Sequence, residues 1–273
     1  MKKIKLLNGE EIELNQAFNM DCWEFMMGLP NNCIDLTVTS PPYDNLRTYN
    51  NSLVWNELIW SNILIELYRI TNNGGVVVWV VNDATINGSE TGTSFKQALF
   101  AMKCGFNLHD TMIWNKPNAM PQIDKSRYCQ SFEYMFILSK GKPKTTNLIK
   151  IPTKNAGKTI IRKTIQTENI NKMERTDKTK SDRIAFNVYN LNVGGKKEAE
   201  HPAIYPKKLA EDHILTWSNE GDIVFDPFCG SFTTAITAIK NNRNWFGCEL
   251  SKEFYKSGYH RYEQETKQQL FEF

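Results

Sequence analysis

Along this chain the spacing of apolar and polar positions switches repeatedly between a strand period and a helical one. Residues 34–39 (IDLTVT) make a short apolar run that ends in turn-formers, the pattern of a buried strand. Residues 55–70 carry apolar side chains at helical spacing, and Asn72-Asn73-Gly74-Gly75 reads as their stop. Residues 76–81 (VVVWVV) are β-branched and apolar on both faces, as a strand covered by helices on both sides must be. A helix at 93–104 and strands at 108–114 and 134–138 follow. After residue 201 the texture returns, with a helix at 206–217, a strand at 222–225, a helix at 231–240, a strand at 245–248 and a charged helix at 251–269. Alternation of this kind predicts an α/β protein with a doubly wound, mostly parallel sheet.

Between the two patterned regions the apolar density falls, and Lys, Thr and Asn dominate up to Gly194-Gly195. Residues 1–143 and 201–273 therefore read as one domain, and 144–200 as an insertion with little core of its own. Net charge is only +3, but residues 140–200 hold 15 Lys/Arg against 6 Asp/Glu, leaving 18 against 24 elsewhere. A basic segment on a mildly acidic body suits a phosphate backbone, and a solvated surface loop has the same composition; charge alone leaves both open. At 273 residues and 41% apolar content the chain can bury one large core. The basic start, 1–8, is followed by no apolar signal core, and no apolar run approaches the roughly 20 residues of a membrane span. The expectation is a soluble, cytoplasmic protein. Cys22, Cys33, Cys104, Cys129, Cys229 and Cys248 include no C-x-x-C pair, so reduced thiols are expected rather than a disulfide framework or a metal site.

Two segments carry candidate chemistry. The first runs Asp222-Ile223-Val224-Phe225-Asp226-Pro227-Phe228-Cys229-Gly230-Ser231, a strand, a tight turn and a helix start. In an open α/β sheet the ligand crevice lies at the carboxyl ends of the strands, where this turn falls. Gly230 lets backbone approach a ligand, Asp226 is placed to hold an ammonium, and the following helix N-terminus favours a carboxylate. Glu249, at the end of the next strand, stands where a carboxylate takes up ribose hydroxyls. No phosphate-binding glycine pattern is present, so a nucleoside without pyrophosphate, such as S-adenosylmethionine, fits better than NAD or ATP. An ordinary strand-turn-helix with Asp226 as a cap would read the same way.

The second segment is Ser40-Pro41-Pro42-Tyr43, directly after the IDLTVT strand. Consecutive prolines fix φ and supply no N–H, giving a rigid loop whose carbonyls can face a site. An exocyclic base amine is a poor nucleophile because its lone pair is delocalised into the ring. Acceptors for both amino hydrogens free that lone pair, and the Ser40 hydroxyl and Pro41 carbonyl are suited to the task. Tyr43 offers a face for stacking. A base reaches such a pocket only by leaving the duplex. Alone, the tetrapeptide is equally a rigid turn.

Taken together these segments resemble the amino-group DNA methyltransferases of restriction-modification and orphan type, in their β-class motif order. Ser40-Pro41-Pro42-Tyr43 is similar to the family's catalytic [DNS]-P-P-[YF] motif. Asp226-Pro227-Phe228-Cys229-Gly230-Ser231, with Thr233, is similar to its cofactor motif, and Glu249 to its ribose acid. His201-Pro202-Ala203 with Pro206 resembles the segment lining the methionine end, and Asp21-Cys22 the one contacting adenine. Trp114 and Phe132 lie in segments resembling the target-base pocket, and the family's variable target-recognition region corresponds to 144–200. The resemblance implies the S-adenosylmethionine-dependent methyltransferase fold, circularly permuted, with S-adenosyl-L-methionine as cofactor and double-stranded DNA as substrate. It also implies a cognate restriction endonuclease as a candidate partner, and no metal.

Two departures stand out. Phe232 replaces a glycine of the family's G-S-G-T-T turn, so its side chain must point away from the cofactor or reshape the pocket; a nucleic-acid-binding protein with degenerate motifs stays open on that account. Asn19 replaces the glycine before Asp21. No Pro-Cys dipeptide is present, which disfavours carbon-5 cytosine methylation through a cysteine nucleophile. Ser40 leans the resemblance toward cytosine N4, with adenine N6 as the alternative. Lys116 reads either as a phosphate contact or as an exposed surface lysine, and His109, His213 and His260 read as structural.

Overall fold

A computed structural model describes residues 2–43, 55–121, 126–165, 172–193 and 205–267. Its main sheet uses β1 (Gln16–Phe18), β2 (Ile34–Thr39), β3 (Thr71–Val81), β4 (Asn107–Asn115), β5 (Phe132–Ser139), β6 (Val188–Asn190), β7 (Ile223–Asp226) and β8 (Asn244–Cys248). Across the sheet the order is β6-β4-β5-β3-β2-β7-β8-β1. Neighbours are parallel, except that β5 runs antiparallel to both β3 and β4. The sheet is thus mostly parallel and doubly wound, as the sequence pattern predicts.

Helices cover both faces: α1 (Cys22–Gly28), α2 (Glu57–Ile70), α3 (Thr93–Cys104), α4 (Lys207–Trp217), α5 (Thr233–Lys240) and α6 (Lys252–Lys267). The central strand β3 shows why. Val77, Trp79 and Val81 pack with Phe25, Trp60, Leu64, Leu67 and Ala98 of α1, α2 and α3. Val76, Val78 and Val80 pack on the opposite face with Leu209, Ile214, Ala235 and Ile236 of α4 and α5. Strand side chains alternate between faces, so a continuous apolar run is what a strand buried on both sides requires. Each such side chain contributes about 1.5–3 kcal/mol of transfer free energy.

The sequence reading and the structure differ in some boundaries and short elements. The 55–70 helix stops before Asn72–Gly75 as expected, α2 ending at Ile70, but the strand starts earlier than residue 76: β3 begins at Thr71 and takes in the Asn72–Gly75 stretch. Gly74 donates to the Lys140 carbonyl, and Lys140 to that of Gly75, which extends the ladder through this stretch. The short elements β1, α1 and β6 were not foreseen. The insertion is also narrower than 144–200. Two units separate: Met1–Asn147 with Asn187–Phe273, and Leu148–Phe186. Asn147 N–H donates to the Thr216 carbonyl, and Val188–Asn190 extends the main sheet alongside β4, so both flanks belong to the larger unit.

The smaller unit consists of two antiparallel ladders, Lys150–Pro152 with Asp182–Ile184 and Thr159–Ile165 with Lys172–Lys178. Among the described residues no helix is long and apolar enough to cross a membrane, and no His, Cys, Asp and Glu group could hold a metal ion.

Candidate active site

Parallel strands place their carboxyl ends along one edge of a sheet, and the turns leaving them form a crevice there. Ser40 follows β2, Asp226 ends β7, Glu249 follows β8, and Asp21 lies just beyond β1. Because β5 is antiparallel, its first residues, Phe132 and Glu133, fall on the same edge. A cavity of about 370 Å³ opens there, lined by Asp21, Cys22, Ser40, Pro41, Pro42, Tyr43, Pro227, Phe228, Gly230, Ser231 and Glu249. The prolyl turn and the Asp-Pro-Phe turn therefore share one crevice.

Asp226 joins the two turns from beneath. It is buried and does not line the cavity. Thr39 Oγ1 donates to its Oδ1 at 2.7 Å, and the Phe228 N–H donates to the same oxygen at 3.1 Å. Tyr205 donates to Oδ2 at 3.3 Å and also pairs with Thr234, whose hydroxyl donates to the Val38 carbonyl at 3.1 Å. Burial raises the Asp226 carboxyl above its ordinary range, and the bonds from Thr39 and Phe228 oppose that rise. With its oxygens engaged in this way, Asp226 fastens the strand ends together from behind the cavity wall, whereas the sequence alone reads it as placed for an ammonium contact.

Glu249 does reach the cavity. Its Oε2 accepts the Gly230 N–H and its Oε1 the Ser251 N–H, both at 2.9 Å. Burial raises its carboxyl, offset by those backbone donors. Each carboxylate oxygen keeps lone-pair capacity for a hydroxyl donor, which suits the role of a ribose acid. Asp21 caps α1, its Oδ1 accepting from Trp23 N at 2.7 Å and Glu24 N at 3.3 Å. Asn19 has a use that a glycine would lack: its amide donates to the carbonyls of Glu249 and Leu250 at 2.8 and 3.2 Å, tying β1 to the end of β8.

Phe232 turns away from the cavity. Its ring is fully buried against Trp245, Tyr255 and Tyr259, with centroids 6.0, 6.1 and 6.1 Å away. The backbone keeps the left-handed conformation a glycine would adopt, φ 62 and ψ 25. On α6, Gly258 makes room for the ring: a Cβ there would sit 2.4 Å from Phe232 Cδ2. Gly247 is needed for a similar reason, since a Cβ would come 2.3 Å from the Asp226 carbonyl and 2.4 Å from Cys229 Sγ. Cys22 and Cys229 line the cavity, yet burial pushes both thiols up, so neither offers a thiolate nucleophile.

The remaining sequence candidates scatter. Thr233 is buried behind the turn, where Arg261 of α6 holds its hydroxyl and the Ser231 carbonyl. Trp114 is buried in the sheet, its indole N–H donating to the Leu191 carbonyl at 2.8 Å, and it lines neither cavity. Phe132 instead lines a second, more open cavity of about 930 Å³ with Asp83, Arg127 and Tyr128. Pro202 and Ala203, with His201, lie outside the described residues.

Several lining residues were not foreseen, among them Tyr205 and, around the start of α2, Trp55, Ile59 and Asn62. Trp55 packs edge-on against Phe228, centroids 5.7 Å apart. Lys116 is not an exposed surface lysine: it pairs with Glu133 at 2.8 Å. Glu133 in turn accepts from Tyr43 Oη at 2.6 Å, and Tyr43 lies 2.8 Å from Ser40 Oγ.

Comparison with known proteins gives the family and the fold. A family model described as DNA methylase matches residues 34–260. Orphan methyltransferase M.BamHII of Bacillus amyloliquefaciens is 52% identical over 232 residues, 81% of this chain and 85% of that protein. Type II methyltransferase M.SmaI of Serratia marcescens is 27% identical over 273 residues, 86% of each. Among solved structures, PvuII DNA methyltransferase, cytosine-N4-specific, matches with a TM-score of 0.68 at 18% identity, covering 93% of both chains. The M1.HpyAVI–SAM complex matches at 0.59 and 22% identity, covering 90% of this chain and 98% of that one. At such identities the structural likeness speaks for the fold.

Proposed function

Because the chain belongs to the DNA methylase family of N6 and N4 amino methyltransferases, we propose that it transfers a methyl group from S-adenosyl-L-methionine to the N4 amine of a cytosine flipped out of double-stranded DNA. The observation that carries this reading is the single cavity walled by Ser40, Pro41 and Tyr43 together with Gly230 and Glu249. When bound, the cofactor supplies an electrophilic methyl on a sulfonium.

The residues present suit such a molecule. Glu249 has acceptor capacity for ribose hydroxyls, Asp21 adds a second carboxylate to the lining, and Phe228, Trp55 and Ile63 give apolar wall for a purine. For the base, Ser40 Oγ and the Pro41 carbonyl accept the amino hydrogens and draw the lone pair out of the ring. Tyr43 presents its ring beside them. Extruding the base costs a few kcal/mol, regained in part by such stacking and hydrogen bonding. Phe232, the departure that pointed toward a degenerate module, has its ring in the core.

The lean to cytosine rests on Ser40 at the head of the motif. We further assign target recognition to the Leu148–Phe186 unit, which carries 10 Lys/Arg against 4 Asp/Glu. Phosphate contacts would position it, and base-edge contacts would specify the site.

The test is incubation with labelled cofactor and mixed-sequence DNA, followed by nucleoside analysis. Label in N4-methylcytosine is the expected result, and label in N6-methyladenine replaces cytosine by adenine as the target. Transfer undiminished in the Ser40→Ala, Tyr43→Ala double variant overturns the site assignment.

A further inference from the structure

The hydrogen bonds behind Ser40 have a direction. Ser40 Oγ and Tyr43 Oη are 2.8 Å apart, and distance alone lets either donate. Tyr43 Oη, however, donates to Glu133 Oε2 at 2.6 Å, and Lys116 Nζ donates to Glu133 Oε1 at 2.8 Å. A phenol has one proton, and an ionised carboxylate only accepts. With its proton directed to Glu133, Tyr43 can only accept from Ser40. Ser40 therefore commits its own proton to Tyr43, and its oxygen presents lone pairs alone to whatever sits in the cavity.

We infer that Glu133, paired with Lys116, is a positioning residue that fixes the donor direction of the Ser40–Tyr43 pair, so that Ser40 can only accept from the amino group of the target base. This deepens the proposed function and rests on it, since only an amine arriving at Ser40 gives the direction a use. The Glu133 and Lys116 side chains are 11% and 15% exposed, so their hydrogen bonds lie mostly out of bulk solvent, where such a network is strengthened. The pair also explains a buried carboxylate and a shielded lysine that the methyl-transfer chemistry does not itself require. Glu133 acts through Tyr43 and does not line the cavity.

The substitution Glu133→Gln reads the direction. Lys116 still donates to the side-chain oxygen and so turns the amide NH2 toward Tyr43. Tyr43 must then accept there and donate to Ser40, whose proton is driven toward the amine hydrogens. The single-turnover methyl-transfer rate at saturating DNA and cofactor should fall at least about ten-fold, with both dissociation constants changed less than about two-fold. Adding Lys116→Met frees the amide to rotate its oxygen toward Tyr43, and at least about three-fold of the lost rate should return. Tyr43→Phe, which leaves Glu133 and Lys116 paired, should lose as much as Glu133→Gln, and combining the two should cost less than about two-fold more.

A Glu133→Gln rate within about two-fold of wild type overturns the inference, as does full additivity with Tyr43→Phe or no recovery on adding Lys116→Met. Should Glu133→Gln unfold, Tyr43→Phe decides: a wild-type rate there overturns it equally. The two readings fail separately. If the wild-type protein labels no DNA base, the proposed function has failed; if it labels DNA and these variants do so equally well, only the role of Glu133 has.

Discussion

Phe232 offers a measurement whose sign is set by backbone conformation. It holds φ 62 with a side chain that is fully buried. Truncating a buried Phe to Ala costs about 3–5 kcal/mol through lost transfer free energy and the cavity left behind. Phe232→Ala keeps a Cβ in the left-handed region, where an L-residue carries about 1–2 kcal/mol of strain. Phe232→Gly loses the same ring but releases that strain, against an added backbone-entropy cost of about 0.5–1 kcal/mol. Set against each other, the two terms leave the glycine variant more stable than the alanine variant by about 0–1.5 kcal/mol, the reverse of the usual order. Both variants should melt below wild type, with glycine above alanine by up to about 6 °C for a unit of this size. Matched thermal and urea unfolding at one pH measures the gap. Since the ring faces the core, cofactor affinity measured by calorimetry at a temperature where all three are folded should stay close to wild type. A glycine variant that melts below the alanine variant would falsify the assignment of backbone strain at this turn.

Other expectations are independent of it. Burial lowers His213 from 6.5 to about 3, so the folded state favours the neutral ring; the stability this contributes is present above pH 6.5 and is lost as pH falls toward 3. Between pH 7 and 5 wild type should therefore lose about 2 kcal/mol more than His213→Leu, and an unchanged difference in unfolding free energy between the two pH values would contradict the burial argument. Thr39→Val removes the donor 2.7 Å from the Asp226 carboxylate. It should cost about 1.5–3 kcal/mol of stability and weaken cofactor binding as the two turns loosen, and melting and affinity both at wild-type values would show that the contact does not couple them.

Legibility in the sequence followed the amount of pattern each element carries. The VVVWVV run and the 93–104 helix were readable because many consecutive positions agree on one period, and Gly105 closes the helix in the left-handed conformation. Gln16–Phe18 and Val188–Asn190 have three residues each and close the two ends of the sheet, too short for a period to show. At the site, contiguous motifs were visible and side chains brought in by tertiary register were not. Lys116 and Glu133 are separated by the β4–β5 pairing, in which Trp114 stands opposite Glu133, so their ion pair has no local spacing to betray it. Tyr205 is one of ten tyrosines until its hydroxyl is seen to reach Asp226 at the end of β7. Asp226 is ambiguous in sequence because a strand-end carboxylate looks alike whether it faces a ligand or a neighbouring strand, and its bonds to Thr39 and Tyr205 appear only in three dimensions.

Thr39 and Asp226 meet across a sequence separation of 187 residues because β2 and β7 are adjacent parallel strands. Lateral neighbourhood in the sheet supplies that proximity, and it is indifferent to which of the two strands the ribosome makes first. A gene rearranged to begin between the catalytic and cofactor segments, with its former ends joined, could keep the same crevice so long as both strands retain their places. Conversely, a small change that slid β2 by one residue against β7 would point Thr39 to the opposite face and part the two turns while leaving every motif in the reading frame intact.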